Sequence, residues 1–365
     1  MKLSQLFVDA PLAAEAEVKR LAETLGVTPR KVGSASEVFT AVTAAADPVA
    51  AGKRMLYLTA NRGAFVRDCP GTAHYTCCGY RILHVGAYCS MDCAYCILQA
   101  YFHPPILTYF INKDNLTYQI ESEFNNKKTQ RFGTGEFTDS LIWEGLFPIN
   151  TELVRLFAGQ DRCVLELKSK TTAVEGLLSL PHRRRTILAW SLNSREMVSR
   201  YERGTAAVEA RLAAAARAAG AGYPIAFHFD PIVIEDRSLP GYLETVERMF
   251  AAVDPANIVW ISLGALRFMP ALKAVIERRF PGTPLACGEF IVGLDGKMRY
   301  FKPLRIRAYR EMAQAIRRRA PGVCLYLCME DEEVWREALG FAPAERGGLA
   351  AMLDEAAVRV CGLEP

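Results

Sequence analysis

Residues 88–99, "YCSMDCAYCILQ", place three cysteines within eight positions. Cys89, Cys93 and Cys96 are separated by three and then by two residues, so one compact loop can turn three thiolates toward one point. A structural zinc ion takes four protein ligands, and a closed iron–sulfur cluster takes four thiolates. Three thiolates are what a [4Fe-4S] cluster needs when one iron stays open to bind another molecule. The spacing therefore predicts a [4Fe-4S] cluster with an open iron.

This spacing, with Tyr95 just before the last cysteine, resembles the cluster loop of radical S-adenosylmethionine enzymes. In that superfamily the open iron chelates S-adenosylmethionine, and reduction cleaves the cofactor to methionine and a 5′-deoxyadenosyl radical. The segment "FGTGEFTDS", residues 132–140, is similar to the superfamily's glycine-glycine-glutamate strand end, which holds the methionine amino group. The resemblance therefore implies that Gly133, Gly135 and Glu136 bind the cofactor.

Two segments resemble a narrower family, the spore photoproduct lyases. They are "CAYCILQAYF", residues 93–102, and "LAWSLNSREMVSRYERGTAAVEARLAAAARAAGAGYPIAF", residues 188–227. The resemblance extends over roughly residues 80–235 and favours the branch found outside spore formers. It implies repair of a UV-induced thymine lesion in DNA: hydrogen abstraction from C6, fragmentation of the methylene bridge and return of a hydrogen. Such an enzyme extrudes the damaged dinucleotide from the base stack. A reductant protein such as flavodoxin or ferredoxin is also implied.

Further residues gain roles by matching positions of the family. Lys170 and Ser191 match positions that contact S-adenosylmethionine, at its carboxylate and at its ribose or adenine side. Tyr95 matches a tyrosine of the radical-return relay or its neighbourhood. The segment "RYFKPLR" resembles a basic, aromatic stretch near the substrate cleft, and we expect its members to bind phosphate and stack on a base. These members are Tyr300, Lys302 and Arg305.

The sequence also departs from the family. Phe137 stands where the lyases carry the hydrogen-donating cysteine, and Ile97 replaces the tyrosine after the third cluster cysteine. Asp230 stands where the lyases have a small residue; it either binds the ribose hydroxyls or caps its strand. His228, two residues earlier, is expected to be packed and hydrogen-bonded more readily than catalytic.

An extra cysteine-bearing segment, "DCPGTAHYTCCGY", precedes the cluster loop at residues 68–80. Its Cys69, Cys77 and Cys78 either pack, hold a second metal or replace the missing hydrogen donor. Our hypothesis is that Cys77 or Cys78 faces the substrate. The other cysteines are expected in the core: Cys163, Cys287, Cys324, Cys328 and Cys361.

Apolar runs alternate with helical patterns along most of the chain. Buried strands are predicted at "RCVLELKS", "TILAWSLN", "YPIAFHFDPI" and "NIVWISLGAL", and an earlier strand at "MLYLTA". Helices are predicted at "PLAAEAEVKRLAETLG", "TELVRLFAG", "TAVEGLLSL", "AAVEARLAAAARAAGAG" and "PGYLETVERMFAAV". The tail from residue 307 predicts helix, strand and helix. This alternation indicates a parallel sheet with crossover helices, with active groups at the carboxyl ends of the strands.

We therefore expect an α/β protein built on a partial (β/α)6 TIM-like barrel, with an N-terminal helical extension and a C-terminal α/β segment. The predicted domains are residues 1–79, an extension with the cysteine-rich loop, 80–300, the barrel, and 301–365, the C-terminal segment.

Composition excludes few classes of function. A net charge of +4 is too small to argue for nucleic-acid binding by itself. The sequence contains no run of about 18 apolar residues, so no membrane-spanning helix is predicted. The N-terminus lacks the pattern of a secretory signal. We expect a cytoplasmic protein with reduced cysteines and no membrane contact. Three functions stay open: a DNA lesion lyase, a radical enzyme with another nucleotide or small-molecule substrate, and a non-enzymatic iron–sulfur protein that binds nucleic acid.

Overall fold

The computed structural model describes residues 3–71, 74–126 and 128–364. Within these ranges the strands are β1 (Gln5–Asp9), β2 (Pro29–Val32), β3 (Met55–Thr59), β4 (Val66–Asp68), β5 (Arg81–Leu83), β6 (Gly86–Ala87), β7 (Asp92–Cys93), β8 (Leu107–Phe110), β9 (Gln130–Gly133), β10 (Cys163–Ser169), β11 (Thr186–Ser191), β12 (Glu202–Arg203), β13 (Ile225–Ile232), β14 (Ile258–Ala265), β15 (Arg267–Phe268), β16 (Phe290–Val292), β17 (Met298–Tyr300) and β18 (Cys324–Leu327).

The α-helices are α1 (Ala16–Leu25), α2 (Ala35–Thr43), α3 (Pro48–Gly52), α4 (Leu98–Tyr101), α5 (Lys113–Phe124), α6 (Ile149–Ala158), α7 (Arg195–Tyr201), α8 (Val208–Gly220), α9 (Leu239–Ala252), α10 (Pro270–Arg279), α11 (Lys302–Arg319), α12 (Glu332–Leu339) and α13 (Leu349–Cys361). No helix among the described residues is long and apolar enough to cross a membrane.

The larger sheet has eight strands in the order β18-β14-β13-β11-β10-β9-β5-β4, and all neighbours except β4 and β5 are parallel. Its central strands are almost entirely buried, as expected for parallel strands covered on both faces. The sheet is curled, because Glu166 on β10 contacts His228 on β13 and Trp260 on β14 across intervening strands. This half-barrel confirms the predicted fold class.

The four predicted buried strands are confirmed as β10, β11, β13 and β14, and the early strand as β3. The predicted helix at residues 172–180 is wrong, because this segment forms successive turns. The Thr171 hydroxyl accepts a hydrogen bond from the Ala173 amide, and such local bonds compete with helix formation. Val174 and Leu177 are buried, so the turns still supply core contacts. The remaining predicted helices are confirmed.

The N-terminal region is more than a helical extension. The expected helix α1 is present, but the region also contributes β1, β2 and β3 to a second sheet of order β2-β1-β3-β8-β6. Strand β2, "PRKV", is short and largely exposed, so it carries a weak hydrophobic pattern. Strands β6 and β8 lie beyond residue 79, and β18, beyond residue 300, pairs with β14 of the barrel sheet. Strand pairing therefore crosses both predicted domain boundaries.

Candidate active site

The parallel strands of the barrel end at one edge, and the residues predicted to bind S-adenosylmethionine lie along it. Gly133 ends β9 and is followed by Gly135 and Glu136; Lys170 follows β10, and Ser191 ends β11. Gly133 cannot be replaced without movement, because an added Cβ would lie 1.6 Å from the Tyr80 hydroxyl. The structure thus brings these positions together, and their roles in binding stay predictions.

The cysteine loop forms backbone hydrogen bonds with the segment that follows β11. Its strand β7 pairs antiparallel with β12, and the Ala94 amide donates to the Tyr201 carbonyl at 2.8 Å. Cys89 and Cys93 are buried, Cys96 is half-buried, and all three are free thiols. The loop is therefore held at the barrel edge by backbone pairing on one side.

Lys53, from the N-terminal sheet region, holds the loop on a second side. Its side chain is 8% exposed, and its ammonium donates to the Cys89 carbonyl at 3.2 Å and to the Met91 carbonyl at 2.5 Å. The same ammonium lies 3.6 Å from the Asp92 carboxylate and 4.7 Å from the centre of the Tyr88 ring. The Cys89 and Met91 carbonyls of the loop thus accept hydrogen bonds from a side chain outside the loop.

Arg279, at the end of α10, holds the loop on a third side. Its guanidinium pairs with Asp92 at 2.9 Å and with Asp47 at 3.1 Å. It also donates to the Gln99 amide oxygen at 2.8 Å, while the Gln99 amide nitrogen donates to the Ala94 carbonyl at 2.8 Å. Arg279 therefore connects α10 both to the loop, at Asp92 and Gln99, and to the N-terminal region, at Asp47.

A fully buried ion pair lies beneath the loop. Glu202 and Arg211 pair with no exposed side-chain surface, and the Tyr95 hydroxyl donates to Glu202. Burial raises the pKa of the Glu202 carboxyl, but the positive charges of Lys170 and Arg211 outweigh it and keep that pKa below its ordinary value. Burial and the charge of Glu202 raise the pKa of Tyr95 well above its usual range. Tyr95 therefore stays protonated and ties the loop to Glu202, a contact that sequence reasoning missed.

The donor set of the loop fits a cluster with three protein ligands. Each of the three thiols lies within electrostatic range of the others, and no fourth thiol belongs to the loop. Burial raises the pKa of the Cys89 thiol to about 12 and that of Cys93 well above its usual range. In the described ranges no three histidine, cysteine or acidic side chains already stand in a metal-binding arrangement. Binding of iron therefore requires these thiols to lose their protons and converge.

Inside the barrel, charged groups from several strands meet. Asp230 forms two hydrogen bonds with Arg267, at 3.1 and 3.0 Å, so both carboxylate oxygens are occupied by one guanidinium. Burial raises the pKa of Asp230, but Arg267 outweighs burial and keeps the pKa below its ordinary value. Lys168, on β10, lies within electrostatic range of Asp230 and Glu136. Asp230 thus serves an internal pair, and its predicted contact with ribose is untested.

His228 is packed and hydrogen-bonded, as expected. Its ring nitrogens contact the Ser262 hydroxyl and the Glu166 carboxylate, both at 2.7 Å. Trp260 donates to the same carboxylate at 3.0 Å. This network fills the barrel below the carboxyl edge of the sheet.

Tyr300 and Arg305, which are predicted to contact substrate, are buried and partnered within the protein. Tyr300 is 2% exposed and stacks on Phe290 with ring centres 4.3 Å apart, so its ring offers no face to a base. Arg305 is 3% exposed and pairs with Glu330 at 2.9 Å. Lys302 is partly exposed and pairs with acidic residues at the start of α12, and its predicted role stays untested.

Phe137 belongs to an aromatic cluster beside the barrel edge. Its ring lies parallel to that of Tyr101, with centres 6.1 Å apart, and meets His84 edge-on at 4.8 Å. Both ring nitrogens of His84 are buried without a hydrogen-bond partner in the part of the chain that the structure describes. Burial lowers the pKa of His84 to about 4. Ile97, the second departure from the family, is 41% exposed.

The cysteines of the 68–80 segment contact one another. The thiols of Cys69 and Cys77 both lie close enough to the Cys78 thiol to affect its pKa, and Cys77 is exposed. Arg131 donates to the Cys78 carbonyl at 2.5 Å, which connects this segment to β9. Direct contact of Cys77 or Cys78 with a substrate stays a hypothesis.

Known proteins resemble this chain in sequence. The family model described as "Spore photoproduct lyase" matches residues 75–300. Spore photoproduct lyase of Geobacillus sp. (strain Y412MC61) is 30% identical over 207 residues, which is 55% of this chain and 60% of that protein. The enzyme of Bacillus subtilis (strain 168) is 27% identical over 206 residues, with the same coverage. The chain thus aligns with about 60% of the length of these relatives.

Solved structures resemble it over a longer span. "Spore photoproduct lyase complexed with dinucleoside spore photoproduct" is 22% identical, with a TM-score of 0.76, covering 90% of this chain and 99% of that one. A mutant of spore photoproduct lyase with bound AdoMet and dinucleoside spore photoproduct has the same identity, TM-score and coverage. These similarities concern the fold.

A curled parallel half-barrel with a three-cysteine loop at the carboxyl edge of its strands defines a radical S-adenosylmethionine type of protein. The family match covers more than half of the chain. The chain belongs to the spore photoproduct lyase family.

Proposed function

We propose that this protein is a radical S-adenosylmethionine lyase that repairs a spore photoproduct type of thymine lesion in DNA. The observation that carries the proposal is the free three-thiol loop at the carboxyl edge of the barrel, held there by Lys53, Arg279 and the buried pair of Glu202 and Arg211. The family match and the relatives named spore photoproduct lyase support the lesion as substrate.

Cys89, Cys93 and Cys96 would hold a [4Fe-4S] cluster. With S-adenosylmethionine bound, the cluster supplies an electron and thereby a 5′-deoxyadenosyl radical. The chain's own groups would orient the cofactor: Gly133 and Gly135 let the strand end pack closely against Tyr80 and Lys168, and Lys170 offers a cation beside the loop. The fixed loop keeps the reacting atoms in one geometry, which is the main way that positioning lowers a barrier.

The proposal includes partners. DNA would enter at the carboxyl edge of the barrel, with the damaged dinucleotide extruded from its stack. A reductant protein of the flavodoxin or ferredoxin class would deliver electrons in the cytoplasm. We place the protein in the branch of the family found outside spore formers, on the basis of the resemblance of residues 93–102 and 188–227.

The test is anaerobic. The protein is reconstituted with iron and sulfide, reduced, and incubated with S-adenosylmethionine and an oligonucleotide that carries the spore photoproduct. Mass spectrometry follows 5′-deoxyadenosine and restored thymine, with the undamaged oligonucleotide as the control. Restored thymine only with the damaged strand is the expected result. Absence of both 5′-deoxyadenosine and restored thymine from a fully loaded protein overturns the proposal.

A second candidate is the same chemistry on another nucleotide or a small molecule. Phe137 favours it, because a phenylalanine ring in an aromatic cluster has no exchangeable hydrogen to return to a substrate. Formation of 5′-deoxyadenosine with an unchanged lesion would select this candidate.

A further inference from the structure

Four cysteines lie along one side of the half-barrel, which we name the thiol seam: Cys69, Cys77 and Cys78 between β4 and β5, and Cys328 directly after β18. The seam joins the two edges of the curled sheet, because the Thr76 amide donates to the Glu330 carbonyl at 3.2 Å. Cys78 lies within electrostatic range of Cys328. The seam therefore contains thiols from both edges of the sheet.

Cys328 is the member of the seam that lies at the carboxyl edge of the strands. Its sulfur accepts a hydrogen bond from the Arg267 guanidinium at 3.3 Å, and its thiol lies within electrostatic range of the Asp230 carboxylate. Cys324, at the other end of the same strand, donates instead to the Met352 carbonyl on α13 at 3.8 Å. The sequence predicted both cysteines in the core, and both are half-buried and pack against it; Cys328 also meets the charged groups at the mouth of the barrel.

The surroundings of Cys328 keep its thiol protonated. Burial raises the pKa of the Cys328 thiol above its ordinary value, Arg267 opposes this, and the negative charge of Asp230 adds to it. A protonated thiol has a weak S–H bond, and a thiolate has no hydrogen atom to give. The site therefore favours transfer of a hydrogen atom over nucleophilic attack, which needs the thiolate.

Other candidates for hydrogen transfer are placed less well. The Tyr95 hydroxyl is buried and bound to Glu202. Cys77 is exposed, and the Cys78 backbone is tied to Arg131 of β9. Phe137 carries no such hydrogen.

We propose that Cys328 gives the hydrogen atom that ends the reaction, a role that rests on the proposed radical chemistry. The S–H bond breaks homolytically, its hydrogen forms a C–H bond at the substrate carbon radical, and a thiyl radical remains on Cys328. One electron from the flavodoxin- or ferredoxin-type reductant and one proton from water restore the thiol. Cys78 and the exposed Cys77 extend the seam from Cys328 toward the surface.

The test compares Cys328→Ala with Cys324→Ala, the same substitution at the far end of the same strand. The assay runs in D2O, where thiol hydrogens exchange, and measures product per 5′-deoxyadenosine and deuterium in the product. We expect Cys328→Ala to lower both by at least about tenfold while 5′-deoxyadenosine still forms, and Cys324→Ala to leave both unchanged.

The outcomes separate the two proposals. Absence of both 5′-deoxyadenosine and restored thymine from the native enzyme overturns the proposed function and the donor role with it. Formation of 5′-deoxyadenosine with an unchanged product ratio and unchanged deuterium in Cys328→Ala overturns the donor role alone. If Cys78→Ala lowers the product ratio and the deuterium content but Cys328→Ala does not, Cys78 gives the hydrogen atom. That result also overturns the donor role of Cys328.

A second measurement needs no turnover. Iodoacetamide labelling of the folded protein, read peptide by peptide, reports the thiolate fraction of Cys328, with exposed Cys287 as the internal reference. Asp230→Asn removes a negative charge beside the thiol, so we expect a lower thiol pKa and faster labelling of Cys328 but not of Cys287. Unchanged labelling of Cys328 in this variant, or labelling in the native protein as fast as that of Cys287, overturns the placement of the thiol.

Discussion

The cluster loop and the thiol seam lie on two sides of the barrel mouth and are built in different ways. The loop is fixed by cations from elsewhere in the chain, Lys53, Arg279 and Arg211 among them. The seam is held mainly by contacts among its own thiols and by backbone pairing. At the loop the three cysteines of the family pattern are present and Ile97 departs from it, while Phe137 departs from it outside the loop. The difference agrees with the two proposals, in which the cofactor chemistry is that of the family and hydrogen return has moved to another residue.

The largest effect is expected at the loop. Cys93→Ala leaves two thiolates, which cannot hold the cluster, so iron and sulfide content and all formation of 5′-deoxyadenosine should be lost. Iron analysis, the visible absorption spectrum and chromatography measure these losses. Cys287→Ala, at an exposed thiol outside the loop, is the control. Full cleavage of S-adenosylmethionine by Cys93→Ala would refute the metal site.

The second largest effect is expected at the buried pair of Glu202 and Arg211, which lies beneath the loop. Arg211→Met leaves the buried Glu202 carboxylate without its cation, so the free energy of unfolding should fall by about 3–5 kcal/mol. Urea denaturation of the metal-free protein measures this change. Arg217→Met, on the same helix α8, breaks an exposed pair with Glu175 and should change the free energy by about 0–1 kcal/mol. Equal losses in the two variants would mean that the buried pair has no special role.

A smaller effect is expected from the aromatic cluster as pH falls. The pKa of His84 is lowered to about 4 by burial, so the unfolded chain takes up a proton first on acidification. The stability that neutral His84 contributes is therefore present above about pH 6.5 and is lost between about pH 6.5 and 4, by about 3 kcal/mol.

His84→Phe removes the titrating group and should flatten this part of the stability profile. Urea unfolding of the metal-free protein at several pH values measures the difference between variant and native protein. Parallel profiles would show that His84 does not titrate in this window.

The smallest effect is expected from restoring a thiol at position 137, which compares that position directly with the thiol seam. Phe137→Cys, added to Cys328→Ala, places a thiol at the position where the family carries its hydrogen donor. We expect it to restore about tenfold in product per 5′-deoxyadenosine. Phe137→Ser in the same background is the control, because a hydroxyl has a stronger bond to hydrogen than a thiol. Equal recovery with serine would mean that space at this position, and not a thiol, limits the reaction.

Much of the fold followed from local pattern. Buried apolar runs predicted β10, β11, β13 and β14, because parallel strands covered on both faces need such runs. The N-terminal strands β1 and β2 were missed, since they are short and β2 is largely exposed. The segment at residues 172–180 shows the opposite error, where local side-chain bonds prevent a helix that the apolar spacing favours.

The sequence by itself determined the candidate cluster ligands, because their spacing confines three thiols to one short loop. It also predicted that the candidate cofactor-binding residues lie at the ends of strands, where the structure places Gly133 and Ser191. Only the tertiary structure decided what holds the loop, since Arg279 reaches Asp92 across 187 positions of sequence. It also separated Cys328 from Cys324 and buried Tyr300 and Arg305. Alternation along a strand assigns a face, but the path of the distant chain decides which end of that face meets the active site.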